Sequence, residues 1–276
     1  MLGAGPVMLI GGAEDKFRDK AILSRFARFA GGKDAHVVVI STASSLGDKA
    51  TEVYHDLFTG MGVGKVTGLR PTEREEAEDP AGAAAMAEAT GVFLTGGNQL
   101  RLSSVVGGTK LGTALFLVHD RGAVIGGTSA GASALAAHML AFGRSGETPK
   151  NRMAQLSAGL GILHQVVVDQ HFEQRARLGR LLSVVAMSPA LIGLGLDEDT
   201  CAIVYNDQTL EVVGRGAVTI VDGSQVRTDA HLMKGHRPLM VSGIVLHSLP
   251  SGYWFDLRAR KLLAGEGAAA EREASE

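Results

Sequence analysis

Cysteine is nearly absent from this sequence, which has Cys201 and no other among its 276 residues. An intrachain disulfide is therefore excluded, and a reducing compartment is expected. No apolar run approaches the roughly 18 residues that mark a membrane-spanning helix. The N-terminal segment lacks the basic region of an export signal, and its apolar run is too short for one. We therefore expect a cytoplasmic protein.

An excess of positive charge is also missing. The chain has 27 Lys and Arg residues against 29 Asp and Glu residues, which gives a formal net charge of −2. Proteins that bind nucleic acid or anionic membranes usually carry a basic face, so neither partner is expected. The glycine-rich segment 11–15 lacks both the G-x-G-x-x-G pattern and the Walker lysine, which argues against a bound nucleotide.

Glycine, by contrast, is abundant, because the sequence has 37 of them, about twice the usual share. Many occur in pairs, at positions 11–12, 96–97, 107–108 and 126–127. Three of the pairs follow an apolar run, where we predict that a strand ends and the chain turns tightly. Helical segments separate four predicted buried strands, at residues 7–10, 36–40, 92–94 and 123–125. This alternation predicts an α/β fold with a doubly wound, mainly parallel sheet.

The second half of the chain has a different texture. Residues from about 140 to 158 predict a polar surface connection, with a mobile loop near the site as the alternative. Short strands are predicted after residue 195, at residues 201–205, 210–213, 218–221, 244–246 and 253–255. We predict one domain over residues 1–264 with a β-rich extension from about residue 200. The tail over residues 265–276 lacks core residues and is predicted to be disordered.

Gly127, Ser129 and Gly131 fit the G-x-S-x-G pattern of a strand-turn-helix elbow that exposes a nucleophilic serine. The pattern has a steric basis, because strand and helix pack closely around a strained turn and the flanking residues must be small. The helix that follows also directs backbone N–H groups toward the hydroxyl. A serine at an ordinary helix N-cap and an anion site without chemistry are the alternatives. We favour Ser129 as a catalytic nucleophile.

A serine nucleophile needs a base, and the base needs an acceptor that orients it. Among nine histidines, His171 stands out because it ends an apolar strand and opens a polar helical segment. A structural histidine is the alternative. The acceptor is expected among Asp197, Glu198 and Asp199, which follow another apolar strand, and the residues alone do not choose between them. The three acids could also form a solvated turn, and no histidine or cysteine at ligand spacing supports a metal there.

Gly96 and Gly97 follow a predicted strand and precede a helix. The backbone N–H of Gly97, together with that of Ala130, suits an oxyanion hole, in which donors face the charge that develops on the substrate. A simple tight turn with a helix N-cap is the alternative.

Three arginines follow His171 closely, at Arg175, Arg177 and Arg180. Guanidinium groups bind carboxylates with two parallel hydrogen bonds, so the cluster predicts a pocket for carboxylates beside the candidate base. The alternative is structural, because Glu173 and Arg177 are spaced as an ion pair on one helix face.

Five segments of the chain stand out as a set: GGAEDK, FLTGGNQLRL, GGTSAGASALA, DQHFEQRARLGRLL and GLGLDEDTCAIV. In this order they resemble peptidase family S51, the family of the cyanophycinases, over about residues 7–214. The resemblance implies a flavodoxin-like fold of the class I glutamine amidotransferase type and a triad of Ser129, His171 and Glu198. It also implies a set of substrate-binding residues, namely Gln99, Asp169, Gln170, Arg175, Arg177 and Arg180.

The resemblance further implies the substrate cyanophycin, a poly-aspartate backbone with an arginine joined through an isopeptide bond to each side-chain carboxyl. Ser129 would attack the backbone carbonyl and β-aspartyl-arginine dipeptides would be released, with no metal or cofactor. A homodimer is implied as well. The connection over residues 143–153 is shorter than the family pattern, and the resemblance is loose beyond Arg215. The alternatives are an α-aspartyl dipeptidase of the same family and a non-catalytic amidotransferase-like binding protein.

Overall fold

A computed structural model describes residues 4–263 of the chain. Five parallel strands form one half of its larger sheet: β1 (Val7–Ile10), β2 (His36–Ile40), β3 (Lys65–Leu69), β4 (Gly91–Leu94) and β5 (Val124–Thr128). They lie side by side in the order β1-β5-β4-β2-β3. The four strands predicted here are confirmed. Strand β3 was not predicted, because this edge strand is only partly buried and contains polar residues.

Helices cover both faces of the parallel strands. They are α1 (Ala21–Phe29), α2 (Asp48–Gly60), α3 (Arg74–Ala77), α4 (Pro80–Ala87), α5 (Gln99–Val106), α6 (Lys110–Asp120), α7 (Ala130–Leu135) and α8 (Leu178–Met187). In β1, Val7 and Leu9 belong to the core on one face, whereas Met8 and Ile10 pack with Phe26 of α1 on the other. Strands buried on both faces read as continuous apolar runs, which explains why they were visible in the sequence. No helix within residues 4–263 is long and apolar enough to cross a membrane.

Antiparallel strands complete the larger sheet beyond β1. They are β10 (Thr200–Val204), β11 (Thr209–Gly214), β16 (Trp254–Asp256) and β17 (Lys261–Leu263), numbered in chain order. The nine-stranded sheet therefore has the order β17-β16-β11-β10-β1-β5-β4-β2-β3. Three of the five strands predicted after residue 195 lie here, as β10, β11 and β16, whereas those predicted at residues 218–221 and 244–246 belong to another sheet.

A second sheet also takes strands from the C-terminal third, which the sequence analysis did not separate from the first. It consists of β8 (Val166–Gln170), β9 (Ile192–Leu196), β12 (Ala217–Asp222) and β15 (Val245–Pro250), in the order β15-β12-β9-β8. Strands β8 and β9 are parallel and joined through α8, so they form a crossover unit of their own. Both are fully buried, and their apolar runs look the same as those of the larger sheet.

Two short hairpins complete the described strands. One joins β6 (His138–Gly143) and β7 (Ala154–Ala158), and the other joins β13 (Arg227–Thr228) and β14 (Val241–Ser242). The predicted polar surface connection over residues 140–158 thus has a strand at each end. Met139, Leu140 and Ala141 are buried, and only the loop between the two strands is irregular.

The glycine pairs have two different explanations. Gly11-Gly12 and Gly96-Gly97 follow β1 and β4, as predicted, whereas Gly126-Gly127 lies inside β5 rather than after it. A Cβ at Gly126 would stand 2.9 Å from the ring of Phe26, so this glycine is required by packing instead of by a turn. The single-domain organisation stays a prediction, and the predicted tail over residues 265–276 lies outside the described residues.

Candidate active site

Ser129 lies between β5 and α7 in a strained backbone conformation, with φ 51° and ψ −110°. Residues other than glycine rarely have positive φ, and such strain persists only where the surroundings hold it. Here the Ser129 N–H donates to the Ile10 carbonyl at 2.9 Å, and the Ser129 carbonyl accepts from the Ser133 N–H at 3.1 Å. The first bond fixes the serine to the end of β1, and the second begins α7.

The small residues around Ser129 are required by close backbone packing. A Cβ at Gly127 would stand 2.5 Å from the Gly131 carbonyl carbon, and one at Gly131 would stand 2.3 Å from the Leu94 carbonyl oxygen. Strand β5, helix α7 and the end of β4 therefore approach one another more closely than any side chain allows. This is the steric reason for the G-x-S-x-G spacing.

His171 follows β8 and meets Ser129 from the second sheet. Its Nε2 lies 2.9 Å from the Ser129 Oγ, and its backbone N–H donates to the Gly11 carbonyl at 2.9 Å. His171 also has a positive φ of 47°. Gly12 lies against the imidazole, because a Cβ there would stand 2.4 Å from Cε1. The Gly11-Gly12 pair, for which the sequence suggested no chemistry, thus makes room for the imidazole and anchors its backbone.

Glu198 is the acid that reaches His171, with 2.6 Å between its Oε1 and the imidazole Nδ1. The backbone N–H of Glu198 donates to the Gln174 Oε1 at 3.0 Å. When Nδ1–H donates to Glu198, Nε2 is left as an acceptor for the Ser129 hydroxyl. The hydrogen bonds therefore run in one direction from serine through histidine to the carboxylate.

The two neighbouring acids accept hydrogen bonds from backbone N–H groups instead. Asp197 accepts from the Glu173 N–H at 3.1 Å and from the Ala217 N–H at 3.0 Å. Asp199 accepts from the Asp15 N–H at 2.8 Å and lies 3.3 Å from the Arg215 Nε. The structure thus separates three consecutive acids that the sequence left equivalent.

The imidazole environment favours the neutral form of His171. Partial burial lowers the pKa of His171 below its ordinary value, and the positive charges of Arg175 and Arg177 lower it further. The hydrogen bond and negative charge of Glu198 act in the opposite direction but do not cancel these effects. At neutral pH the imidazole is therefore free to accept a proton.

The turn after β4 lies beside Ser129, as an oxyanion site requires. A Cβ at Gly96 would stand 3.4 Å from the Ser129 Cβ. Gly97 has φ 142°, and a Cβ there would stand 2.0 Å from the Ala43 carbonyl oxygen, so only glycine fits. Ala130 is the first residue of α7, where backbone N–H groups have no partner inside the helix.

The three predicted carboxylate-binding arginines have different surroundings. Arg175 is exposed, whereas Arg177 and Arg180 are buried against Asp169, which is itself 1% exposed. The Arg180 Nε donates to Asp169 at 2.6 Å, and its Nη2 donates to the same carboxylate. The Arg177 Nη1 lies 3.3 Å from Asp169. Asp169 thus binds two of the three guanidinium groups. Neither the spacing nor the charge of these residues in the sequence indicates this pairing.

Two predicted glutamines are also bonded within the protein. The Gln99 side chain donates to the carbonyls of Leu140 and Ala141 in β6, at 3.1 and 2.7 Å. The Gln170 Oε1 accepts from the Arg177 Nη1 at 3.1 Å. Of the six predicted substrate-binding residues, Arg175 alone is exposed.

The sequence analysis also missed a buried acid. Glu14 follows Gly11-Gly12, is 3% exposed, and accepts a hydrogen bond from Thr128, the residue before Ser129. The signal available in the sequence was weak, because the segment around Glu14 is polar and resembles a surface turn.

Comparison with known proteins places the chain in a family. The sequence profile described as Peptidase family S51 matches residues 7–213. A cyanophycinase from Synechococcus elongatus is 44% identical over 94% of this chain and 81% of its own length. A cyanophycinase from Geminocystis herdmanii is 39% identical over 94% of this chain and 96% of its own length.

Solved structures agree at the level of the fold. The crystal structure of a peptidase from an acI-B1 Actinobacterium superposes with a TM-score of 0.64 at 21% identity, over 88% of this chain and 96% of that one. The predicted α/β fold, hydrolase class and family resemblance are confirmed. The chain belongs to peptidase family S51.

Proposed function

We propose that the chain is a serine-type cyanophycinase with Ser129 as nucleophile, His171 as general base and acid, and Glu198 as the orienting carboxylate. The single observation that carries the proposal is the continuous hydrogen-bonded chain from the Ser129 Oγ to His171 at 2.9 Å and from His171 to Glu198 at 2.6 Å. This is the arrangement that a serine hydrolase needs. The strained turn at Ser129 is the nucleophile elbow that holds the hydroxyl toward the base.

The reaction is acyl transfer. The His171 Nε2 takes the proton of the Ser129 hydroxyl as Oγ attacks an aspartyl backbone carbonyl of the substrate. The N–H groups of Gly97 and Ala130 stabilise the oxyanion. His171 then gives the proton to the departing amine, which leaves an ester on Ser129. His171 then removes a proton from a water molecule as the water attacks the ester. The carboxylate product leaves, and His171 returns the proton to the Ser129 Oγ.

The substrate proposal rests on the named relatives and on Arg175. Cyanophycin presents a free carboxylate and a guanidinium on every side chain, so an exposed guanidinium near the imidazole has a chemical partner in each repeat. Asp169, Gln170, Arg177 and Arg180 form a buried network beneath the segment that contains His171. We propose that this network and Gln99 shape the pocket, and that Arg175 binds a substrate carboxylate directly.

A comparison of substrates tests this proposal. We expect kcat/KM on cyanophycin to fall about ten- to a hundredfold when the arginine carboxylates are amidated, because a charged hydrogen bond contributes roughly 1.5–3 kcal/mol. Poly-aspartate, which lacks the arginines, should hardly be cleaved. Arg175→Gln should lower kcat/KM on cyanophycin by a similar factor and make the enzyme insensitive to amidation.

The matched control is Arg28→Gln, an exposed arginine on α1, which should leave kcat/KM unchanged. Equal turnover of cyanophycin and its amidated form by the unmodified chain would remove Arg175 from substrate recognition. Equal or better turnover of an α-aspartyl dipeptide would instead favour the dipeptidase alternative.

We also propose that the protein acts as a homodimer in the cytoplasm. The dimer rests on the resemblance to family S51. The location rests on the single cysteine.

A further inference from the structure

Glu14 is a buried acid that follows β1, and three hydrogen-bond donors surround its carboxylate. Its Oε2 accepts from the Thr128 hydroxyl at 2.5 Å, and its Oε1 lies 2.7 Å from the Lys16 Nζ. The Tyr54 hydroxyl of α2 donates to Oε1 as well. The carboxylate thus joins the end of β5, helix α2 and the segment after β1.

A buried carboxylate is costly unless charged and hydrogen-bonding partners compensate it. Lys16 supplies the charge, and its amine also lies 5.3 Å from the centre of the Tyr54 ring. Burial and the adjacent Glu14 raise the pKa of Tyr54 well above its ordinary value, so its hydroxyl keeps the proton that it donates. All three partners are donors, which fixes the direction of every hydrogen bond in the network.

The position of Thr128 gives this network a role in the chemistry. Thr128 directly precedes Ser129, whose strained φ and ψ must be maintained by its neighbours. The Ser129 backbone N–H is tied to Ile10, the last residue of β1. Glu14, which lies four residues after the end of β1, accepts a hydrogen bond from the Thr128 side chain and so links the same two segments.

We infer that Glu14 is a positioning residue, which acts through Thr128 to hold the Ser129 Oγ in line with His171. The inference rests on the proposed function, because it assigns Glu14 to the same serine. Without the network, the elbow would relax toward ordinary backbone geometry, and Oγ would move away from the imidazole Nε2. Misplacement by about 1 Å can cost on the order of a hundredfold in rate.

The test measures the reactivity of Ser129 without cyanophycin. A fluorophosphonate probe phosphonylates an activated serine: Oγ attacks the phosphorus, fluoride leaves, and His171 takes the hydroxyl proton, so the second-order rate reports the nucleophile itself. We expect Glu14→Gln and Thr128→Val to lower this rate about ten- to a hundredfold. Thr128→Ser keeps the hydroxyl, and its rate of reaction with the probe should be within about threefold of that of the unmodified chain. Circular dichroism and a urea midpoint establish the folded fraction of each variant.

The chain offers a matched control in a second network, which also joins a buried glutamate to a tyrosine hydroxyl and a basic side chain. Glu211 is 8% exposed, accepts from the Tyr205 hydroxyl at 2.5 Å and lies 2.9 Å from the Arg25 guanidinium. This second network contains none of the residues around Ser129. We expect Glu211→Gln to reduce stability, as we expect for Glu14→Gln, but to leave the rate of reaction of the folded protein with the probe unchanged.

The inference is overturned if folded Glu14→Gln and Thr128→Val react with the probe as fast as the unmodified chain, or if Glu211→Gln slows this reaction equally. If Glu14→Gln does not fold, the comparison of Thr128→Val with Thr128→Ser decides alone. Either negative result leaves the proposed function intact. Absence of labelling in the unmodified chain would remove both proposals.

Discussion

Replacing Ser129 with alanine is expected to lower kcat on cyanophycin by a factor on the order of 10³–10⁶. The Ser129 Oγ is the atom that would attack the substrate, and it lies 2.9 Å from the imidazole that would take its proton. Without it, only binding and oxyanion stabilisation remain to support slow hydrolysis by water. The measurement is the initial rate of dipeptide release by the purified variant, with circular dichroism to establish its fold.

Ser133→Ala is the matched control for this result. Ser133 is a buried serine of α7, one turn after Ser129, and its hydroxyl donates to the Val168 carbonyl at 3.3 Å. Its loss removes a structural hydrogen bond and no reacting atom, so we expect a change in stability of about 1 kcal/mol and little change in kcat. A Ser129→Ala preparation that kept a tenth of the original rate would exclude Ser129 as the nucleophile.

Replacing Glu198 with glutamine is expected to lower kcat on the order of 10²–10⁴-fold. The carboxylate accepts from the His171 Nδ1 at 2.6 Å and thereby keeps Nε2 free to act as the base. A glutamine side chain can present an N–H to Nδ1 instead, which stabilises the wrong imidazole tautomer. The readout is kcat with the overall fold verified, since the backbone of Glu198 also bonds to Gln174.

Asp197→Asn and Asp199→Asn remove the same charge from the adjacent positions. Both side chains accept from backbone N–H groups, whereas the imidazole Nδ1 bonds to Glu198. We expect losses of stability with kcat reduced much less than by Glu198→Gln. An equal or larger loss of kcat in either asparagine variant would reassign the orienting acid.

Much of the fold was predictable because buried parallel strands leave continuous apolar runs. Strands β1, β2, β4 and β5 could be located in this way, whereas the G-x-S-x-G pattern located the turn at Ser129. The second sheet could not be separated from the first, because β8 and β9 have the same apolar composition as the strands of the larger sheet. Membership of a sheet depends on pairing between distant segments, which composition does not record.

The candidate site was predictable where local geometry restricts the residue type. The glycines around Ser129 are such a case, since neighbouring atoms leave no room for a Cβ at these positions. The division of labour among Asp197, Glu198 and Asp199 depends on which distant groups each one meets, and the residues alone left it open. The same holds for Arg177 and Arg180, whose partner Asp169 lies on another element.

The most direct test of the account is the mass of the products that the purified chain releases from purified cyanophycin. The account predicts one dominant product, the β-aspartyl-arginine dipeptide, which is absent when Ser129→Ala is used in place of the unmodified chain. Release of free arginine with an intact poly-aspartate backbone would contradict the proposed site of cleavage. An undigested polymer, with an α-aspartyl dipeptide hydrolysed by the same preparation, would contradict the proposed substrate.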